Sequence, residues 1–188
     1  MKLKKPYVLI TMHRAETVDN KNKLEILIET LKRLSEKYSL VYPIHPRTVK
    51  MIEVFGLKKA LHEIKNLTLI EPVGYFDFLM FLKNAHLLLT DSGGALKEAT
   101  AFKIPTIIYN DNWPDKEGYG VFWHLSGYSK EGVISLVEKI EKENIREKIK
   151  NIDSPFGDGK ASERIAKICS DYLEGKIKMP KIEFTSGV

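Results

Sequence analysis

An α/β protein built on a parallel sheet with helices on both faces is what this sequence predicts, and three observations predict it. Short apolar runs without polar alternation recur along the chain, beginning with Tyr7 to Met12, as expected of strands buried on both sides. Most of them are followed by a segment whose apolar residues fall at helical spacing. The two kinds of segment alternate almost from end to end, which is the pattern of repeated crossovers between parallel strands. A sheet of this kind binds ligands outside the carboxyl ends of its strands.

Tyr7 to Met12 reads as the first strand, and Asn22 to Lys37 as a helix with Leu24, Leu27, Ile28, Leu31 and Leu34 on one face. Leu40 to Ile44 is the second strand. Thr48 to Phe55 is helical and ends at Gly56, a short helix spans Leu57 to Glu63, and Leu67 to Ile70 is a third strand closed by Pro72. A helix over Phe76 to Lys83 leads to the strand ending at Thr90, and a further helix spans Ala95 to Phe102. Pro105 to Tyr109 is the fifth strand, followed by a polar loop over Asn110 to Gly120 and a sixth strand near Val121 to Leu125. Glu131 to Lys142 turns Val133, Leu136, Val137 and Ile140 inward, Asn144 to Lys150 adds a turn or two, and Ala161 to Leu173 is the last helix. Cys169 falls on that helix's apolar stripe with Ile165, Ile168, Tyr172 and Leu173, so core packing is expected of it. One domain over residues 1–175 is expected, with residues 176–188 as a loosely held tail.

Composition excludes several classes. The chain has 188 residues, 43% of them apolar and 29% charged, enough for one full core. Its net charge of +5 comes from 30 basic and 25 acidic residues scattered along the chain, which favours solubility over a nucleic-acid surface. Only six apolar residues follow the lysine-rich start before His13 and Arg14, so no signal peptide is expected. No stretch approaches the ~20 apolar residues of a membrane helix. The expectation is a cytoplasmic protein with neither nucleic-acid nor membrane partner.

The densest chemical signal is Thr90-Asp91-Ser92-Gly93-Gly94-Ala95-Leu96-Lys97-Glu98-Ala99. Two glycines lie between a buried strand and a helix. Amides in a helix's first turn lack intrahelical partners and carry the positive end of its dipole, so a phosphate there is stabilised by both. Without a Cβ at Gly93 and Gly94 a diphosphate can approach the main chain, and Ser92 adds a hydroxyl donor. The plainer alternative, of similar weight, is that Asp91 or Ser92 caps the helix and the glycines turn the chain. His13-Arg14-Ala15-Glu16 follows the first strand and His45-Pro46-Arg47-Thr48 the second, which puts imidazole and guanidinium groups at the same sheet edge. Glu98 can reach back to the ribose of a nucleotide held at the glycines, against the commoner outcome of an exposed helical carboxylate. Phe78 and Phe81 are expected toward the core, although one aromatic ring can stack on a base. His62, His86 and His124 read as structural, and no ligand spacing suggests a metal site.

Four separated segments carry a resemblance. Met12-His13-Arg14-Ala15-Glu16, Val41 to Thr48, Leu89 to Ala99, and Ser154-Pro155-Phe156-Gly157-Asp158-Gly159-Lys160-Ala161-Ser162 resemble, in order and spacing, segments of the non-hydrolysing UDP-N-acetylglucosamine 2-epimerases. The chain is similar to the C-terminal half of that family, from about Tyr7 to Leu173. The resemblance implies a Rossmann-like domain, one half of the two-domain arrangement of GT-B glycosyltransferases. It also implies that the domain holds the UDP part of the substrate: Ser92, Gly93 and Gly94 at the diphosphate, Glu98 at the ribose, Phe78 beside uracil, His13 as the catalytic residue on the phosphate side, and Arg14 and Glu16 at the cleft; Arg47, from its place after the second strand, is expected to add a cation for the same UDP. The implied reaction interconverts UDP-GlcNAc and UDP-ManNAc by removal of the C2 proton with loss of UDP, then re-addition. No cofactor is implied. The implied partner is a separate N-terminal half or a second copy of the chain, without which 188 residues are not expected to epimerise. The sequence departs from the family pattern at Asn110-Asp111-Asn112-Trp113-Pro114-Asp115, which lacks the family's two arginines and first glutamate there, and at Lys97, which stands in place of a glutamate. These changes keep two other readings open: half of a split GT-B glycosyltransferase, and a non-catalytic nucleotide-sugar-binding module.

Overall fold

Val8 and Ile10 of the first strand join one hydrophobic cluster, while Tyr7 and Leu9 join another. Successive side chains of a strand point to opposite faces, so a strand that is apolar at every position needs cover on both sides. The computed structural model, which describes residues 6–178, provides it. Six strands form one parallel sheet: β1 (Tyr7–Thr11), β2 (Ser39–Pro43), β3 (Leu67–Ile70), β4 (Leu87–Thr90), β5 (Thr106–Ile108) and β6 (Trp123–Leu125). Their spatial order is β3-β2-β1-β4-β5-β6. The direction of winding therefore reverses between β1 and β4, and the crevice at their carboxyl ends is where such sheets bind ligands.

Helices α1 (Ala15–Val18), α2 (Lys21–Leu34), α3 (Pro46–Val54), α4 (Lys58–His62), α5 (Tyr75–Asn84), α6 (Gly93–Ala101), α7 (Lys130–Lys142) and α8 (Ile145–Lys148) connect or follow the strands, and a 3-10 turn spans Ile149–Asn151. Leu24, Leu27 and Leu31 of α2 meet Val133, Val137 and Ile140 of α7 over Val8 and Ile10. On the other face Leu82 of α5 and Ala95 and Ala99 of α6 cover Leu9, Val41 and Leu88. One close approach demands glycine. A Cβ on Gly132 in the first turn of α7 would stand 2.2 Å from the Ser126 carbonyl oxygen.

The chain divides into two compact units, the first running to Ile152 and the second from Asp153. The second unit carries α9 (Ala161–Leu173). The helix forms where its periodicity places it, but its stripe is not a core. No residue of α9 is buried, and Cys169 is exposed, contrary to the packing role expected of it. The tail expected from residue 176 lies mostly in residues 179–188, outside the described residues, as does the lysine-rich lead-in at residues 1–5.

Other departures have local causes. Helix α2 stops at Leu34, short of the expected Lys37, where Ser35 Oγ donates to the Lys32 carbonyl at 2.7 Å. Helix α3 begins earlier, at Pro46, because proline suits the first helical position and His45 Nδ1 accepts from the Arg47 amide at 3.1 Å. Four-residue α1 is too short to show a period and was not expected. Among the described residues, no helix is long and apolar enough to cross a membrane.

Candidate functional site

Asp91 follows β4 with its side chain fully buried. A carboxylate out of water needs donors, and these come from the loop after the neighbouring strand β1. The Arg14 amide donates to its Oδ2 at 3.0 Å, the His13 amide donates to both oxygens at 3.2 Å, and His13 Nδ1 lies 3.7 Å away. The loops after β1 and β4 are thereby joined at the point where the sheet reverses. Asp91 is a site residue that sequence reasoning missed. In the sequence it is a charged residue just after an apolar strand and one of two candidate caps, neither of which points to amides across the sheet.

The helix that follows starts at Gly93, two residues before the expected Ala95, so both glycines belong to its first turn. Ser92 is its N-cap: Ser92 Oγ accepts from the Ala95 amide at 3.4 Å, and the Ser92 amide donates to Thr90 Oγ1 at 2.9 Å. The capping alternative is therefore real. It does not explain the glycines, because neither has positive φ and a Cβ on Gly94 would meet nothing nearer than Ser92 Oγ at 3.9 Å. Neither backbone strain nor packing requires glycine at 94. What its absence of a side chain provides is open approach to amides that have no intrahelical acceptor.

The structure brings most of the expected residues to this edge. The His13 and His45 rings lie 5.7 Å apart, centroid to centroid. Arg14 lies over the Trp113 ring at 4.8 Å, with its NH1 3.5 Å from Glu16 Oε1, and Glu16 Oε1 also accepts from Asn110 Nδ2 at 2.9 Å. Glu98 is half-buried on α6, and burial pushes its carboxyl above the usual range while a hydrogen bond from Tyr75 pulls it back. Tyr75, at the start of α5, is a second residue the sequence reading did not single out. Two expected residues also have partners within the fold. Arg47 is paired with Asp19, its Nε donating at 3.0 Å and its NH2 reaching the second oxygen, which holds the Asp19 carboxyl below its ordinary range. Phe78 packs, half-buried, on the cluster around Leu82 and Leu88. Among the described residues no group of three or more His, Cys, Asp and Glu is placed to hold a metal ion.

The edge thus brings together the first turn of α6, the His13 and His45 rings and the Arg14 guanidinium, with the Asp91 and Glu16 carboxylates among them. Known proteins resemble this chain over most of its length. A Methanocaldococcus jannaschii UDP-N-acetylglucosamine 2-epimerase is 43% identical over 165 residues, covering 86% of this chain and 44% of the relative. The crystal structure of the M. jannaschii UDP-GlcNAc 2-epimerase with UDP-GlcNAc and UDP superimposes with a TM-score of 0.78 at 40% identity, covering 88% of this chain and 45% of that one. A Staphylococcus aureus protein solved with UDP gives a TM-score of 0.78 at 30% identity, with coverages of 95% and 49%. The chain thus spans about half the length of the relatives it matches. With residues 1–170 matching the model of the UDP-N-acetylglucosamine 2-epimerase family, the chain belongs to that family.

Proposed function

We propose that this chain is the nucleotide-holding half of a UDP-N-acetylglucosamine 2-epimerase. The observation that carries the reading is the pair of glycines opening α6, placed where no fold requirement explains Gly94, two and three residues after the Asp91 that ties the His13 loop to β4. In this reading the Gly93 and Gly94 amides bind the diphosphate. Ser92 contributes through its hydroxyl proton, which stays available to donate while the oxygen caps the helix. Glu98 accepts from the ribose hydroxyls, and the exposed part of Phe78 lies toward the uracil. Arg14 and Glu16 border the sugar.

The chemistry divides between two halves. Loss of UDP from the sugar places new negative charge on a phosphate oxygen, and preorganised amides with an imidazole donor stabilise charge as it develops. That is the work proposed for α6 and His13. Removing and restoring the C2 proton requires carboxylates positioned as general base and acid. These are assigned to a facing half, supplied by a separate N-terminal domain or by a second copy of the chain. Proton transfer and C–O cleavage involve no change of oxidation state, so no cofactor enters the proposal. The proposed setting is the cytoplasm, as the sequence reading expects.

The test is calorimetric titration of the purified chain with UDP and UDP-N-acetylglucosamine, followed by deuterium incorporation at C2 in heavy water. Binding without exchange is the expected result, with exchange appearing when a facing half is added. Absence of binding overturns the proposal. Transfer of the sugar to an acceptor without C2 exchange would reassign the chain to a split glycosyltransferase.

A further inference from the structure

The loop after β5, where this chain departs from the family pattern, is fastened at several points. Asn110 Nδ2 donates to Glu16, the Asn112 amide donates to Asn110 Oδ1 at 3.2 Å, and Asp115 Oδ2 lies 3.7 Å from Lys97 Nζ on α6. Between these ties Trp113 is 4% exposed. Its Cζ2 lies 3.4 Å from where a Cβ on Gly93 would stand, and the Arg14 guanidinium carbon lies 4.8 Å from its ring centroid. Its shielded indole N–H has no partner, so hydrogen bonding does not account for the ring's place. One indole therefore spans the gap from the first residue of α6 to the guanidinium that follows β1.

We propose that Trp113 is a positioning residue, holding the Arg14 guanidinium beside the first turn of α6 so that Arg14 closes on the terminal phosphate of a bound diphosphate. This rests on the reading of α6 as a diphosphate cradle. The side chain of Arg14 is 42% exposed, and a long exposed side chain loses conformational freedom when it binds. An aromatic face below and Glu16 at its side reduce that loss before the ligand arrives. The planar fork of arginine suits two phosphate oxygens, and a diphosphate exchanges for Glu16 as its partner.

The experiment titrates the full chain with inorganic pyrophosphate, UDP and uridine, in Trp113→Leu, Trp113→Phe, Arg14→Leu and the Arg14→Leu/Trp113→Leu double variant. The Arg14 guanidinium NMR signal is followed alongside. In the unaltered chain that signal carries a ring-current shift and moves on adding pyrophosphate. Trp113→Leu abolishes the shift and weakens pyrophosphate and UDP about two- to fivefold while leaving uridine unchanged, and Trp113→Phe restores most of the affinity because it keeps an aromatic face. In the Arg14→Leu background the Trp113 change has no further effect. Should Trp113→Leu fail to fold, the cycle runs on Trp113→Phe, with a loss below twofold but the same dependence on Arg14. Additive losses, or an Arg14 signal indifferent to pyrophosphate, overturn the proposal. Pyrophosphate binding without UDP binding sinks the nucleotide reading and leaves the Arg14 arm standing. Binding of neither sinks both.

Discussion

Gly94→Ala separates a fold requirement from a functional one. Gly94 is the second residue of α6, its φ is not positive, and an added Cβ would find its nearest neighbour at 3.9 Å. The methyl group enters open space. Alanine is favoured over glycine in a helix interior by about 0.8–1 kcal/mol, an upper limit for a first-turn position. In a chain of this size that raises Tm by up to about 2–4 °C. In the proposed reading the same methyl covers an amide that the diphosphate needs. A hydrogen bond to a charged group contributes about 1.5–3 kcal/mol, so losing one weakens UDP roughly tenfold to a hundredfold. Thermal unfolding and UDP titration of the same preparation read both quantities. A higher Tm with unchanged UDP affinity would refute the reasoning, since the phosphate would then lie away from Gly94. A lower Tm would refute the geometry.

Glu98→Ala is expected to weaken UDP binding while leaving pyrophosphate binding and Tm nearly unchanged, because the carboxylate is assigned to ribose; equal loss for both ligands in parallel titrations would count against that assignment. Gly132→Ala sets a Cβ 2.2 Å from the Ser126 carbonyl and forces the backbone apart, which destabilises by about 1–3 kcal/mol and is checked by denaturant unfolding. His124 is buried with an unpartnered Nε2, and burial, helped by Lys139, lowers its pKa from 6.5. The unfolded chain then binds a proton that the folded chain refuses, so stability falls as pH drops below about 6.5. His124→Phe should flatten that decline in Tm measured against pH, and an unchanged slope would place the titrating group elsewhere.

What could be read from the sequence was what neighbours in sequence decide. The glycines and Ser92 were legible because a strand, a cap and a helix start are local events. Asp91 was not, because its meaning lies in amides 77 and 78 residues away. Arg47 looked like a phosphate ligand from its position after β2, and only the structure shows Asp19 reaching it from 28 residues away. Trp113 was visible as a departure from the family pattern, but a sequence does not say that an indole lies beside Gly93. The stripe on α9 shows the same limit. Its periodicity fixed the helix, and no periodicity names a covering surface.

In the proposed reading, the architecture around His13 lets one half of a fold keep one half of a site. The carbonyl of Met12, just before His13, accepts from Tyr42 Oη at 3.1 Å and from Thr48 Oγ1 at 2.7 Å. The His13 amide on the other side is held by Asp91. Burial, with the Asp91 charge adding to it, pushes the Tyr42 phenol far up, so the hydroxyl stays protonated and remains a donor. The main chain at His13 is thus fixed from β2, α3 and β4 by bonds that involve no ligand. Electrostatic stabilisation depends on donors that need not move as charge develops. In the proposed reaction the part handled by this chain is the departing phosphate, and every group fixing the His13 main chain lies within its first compact unit. A facing half therefore has to bring proton-transfer groups to the sugar but need not rebuild the phosphate side.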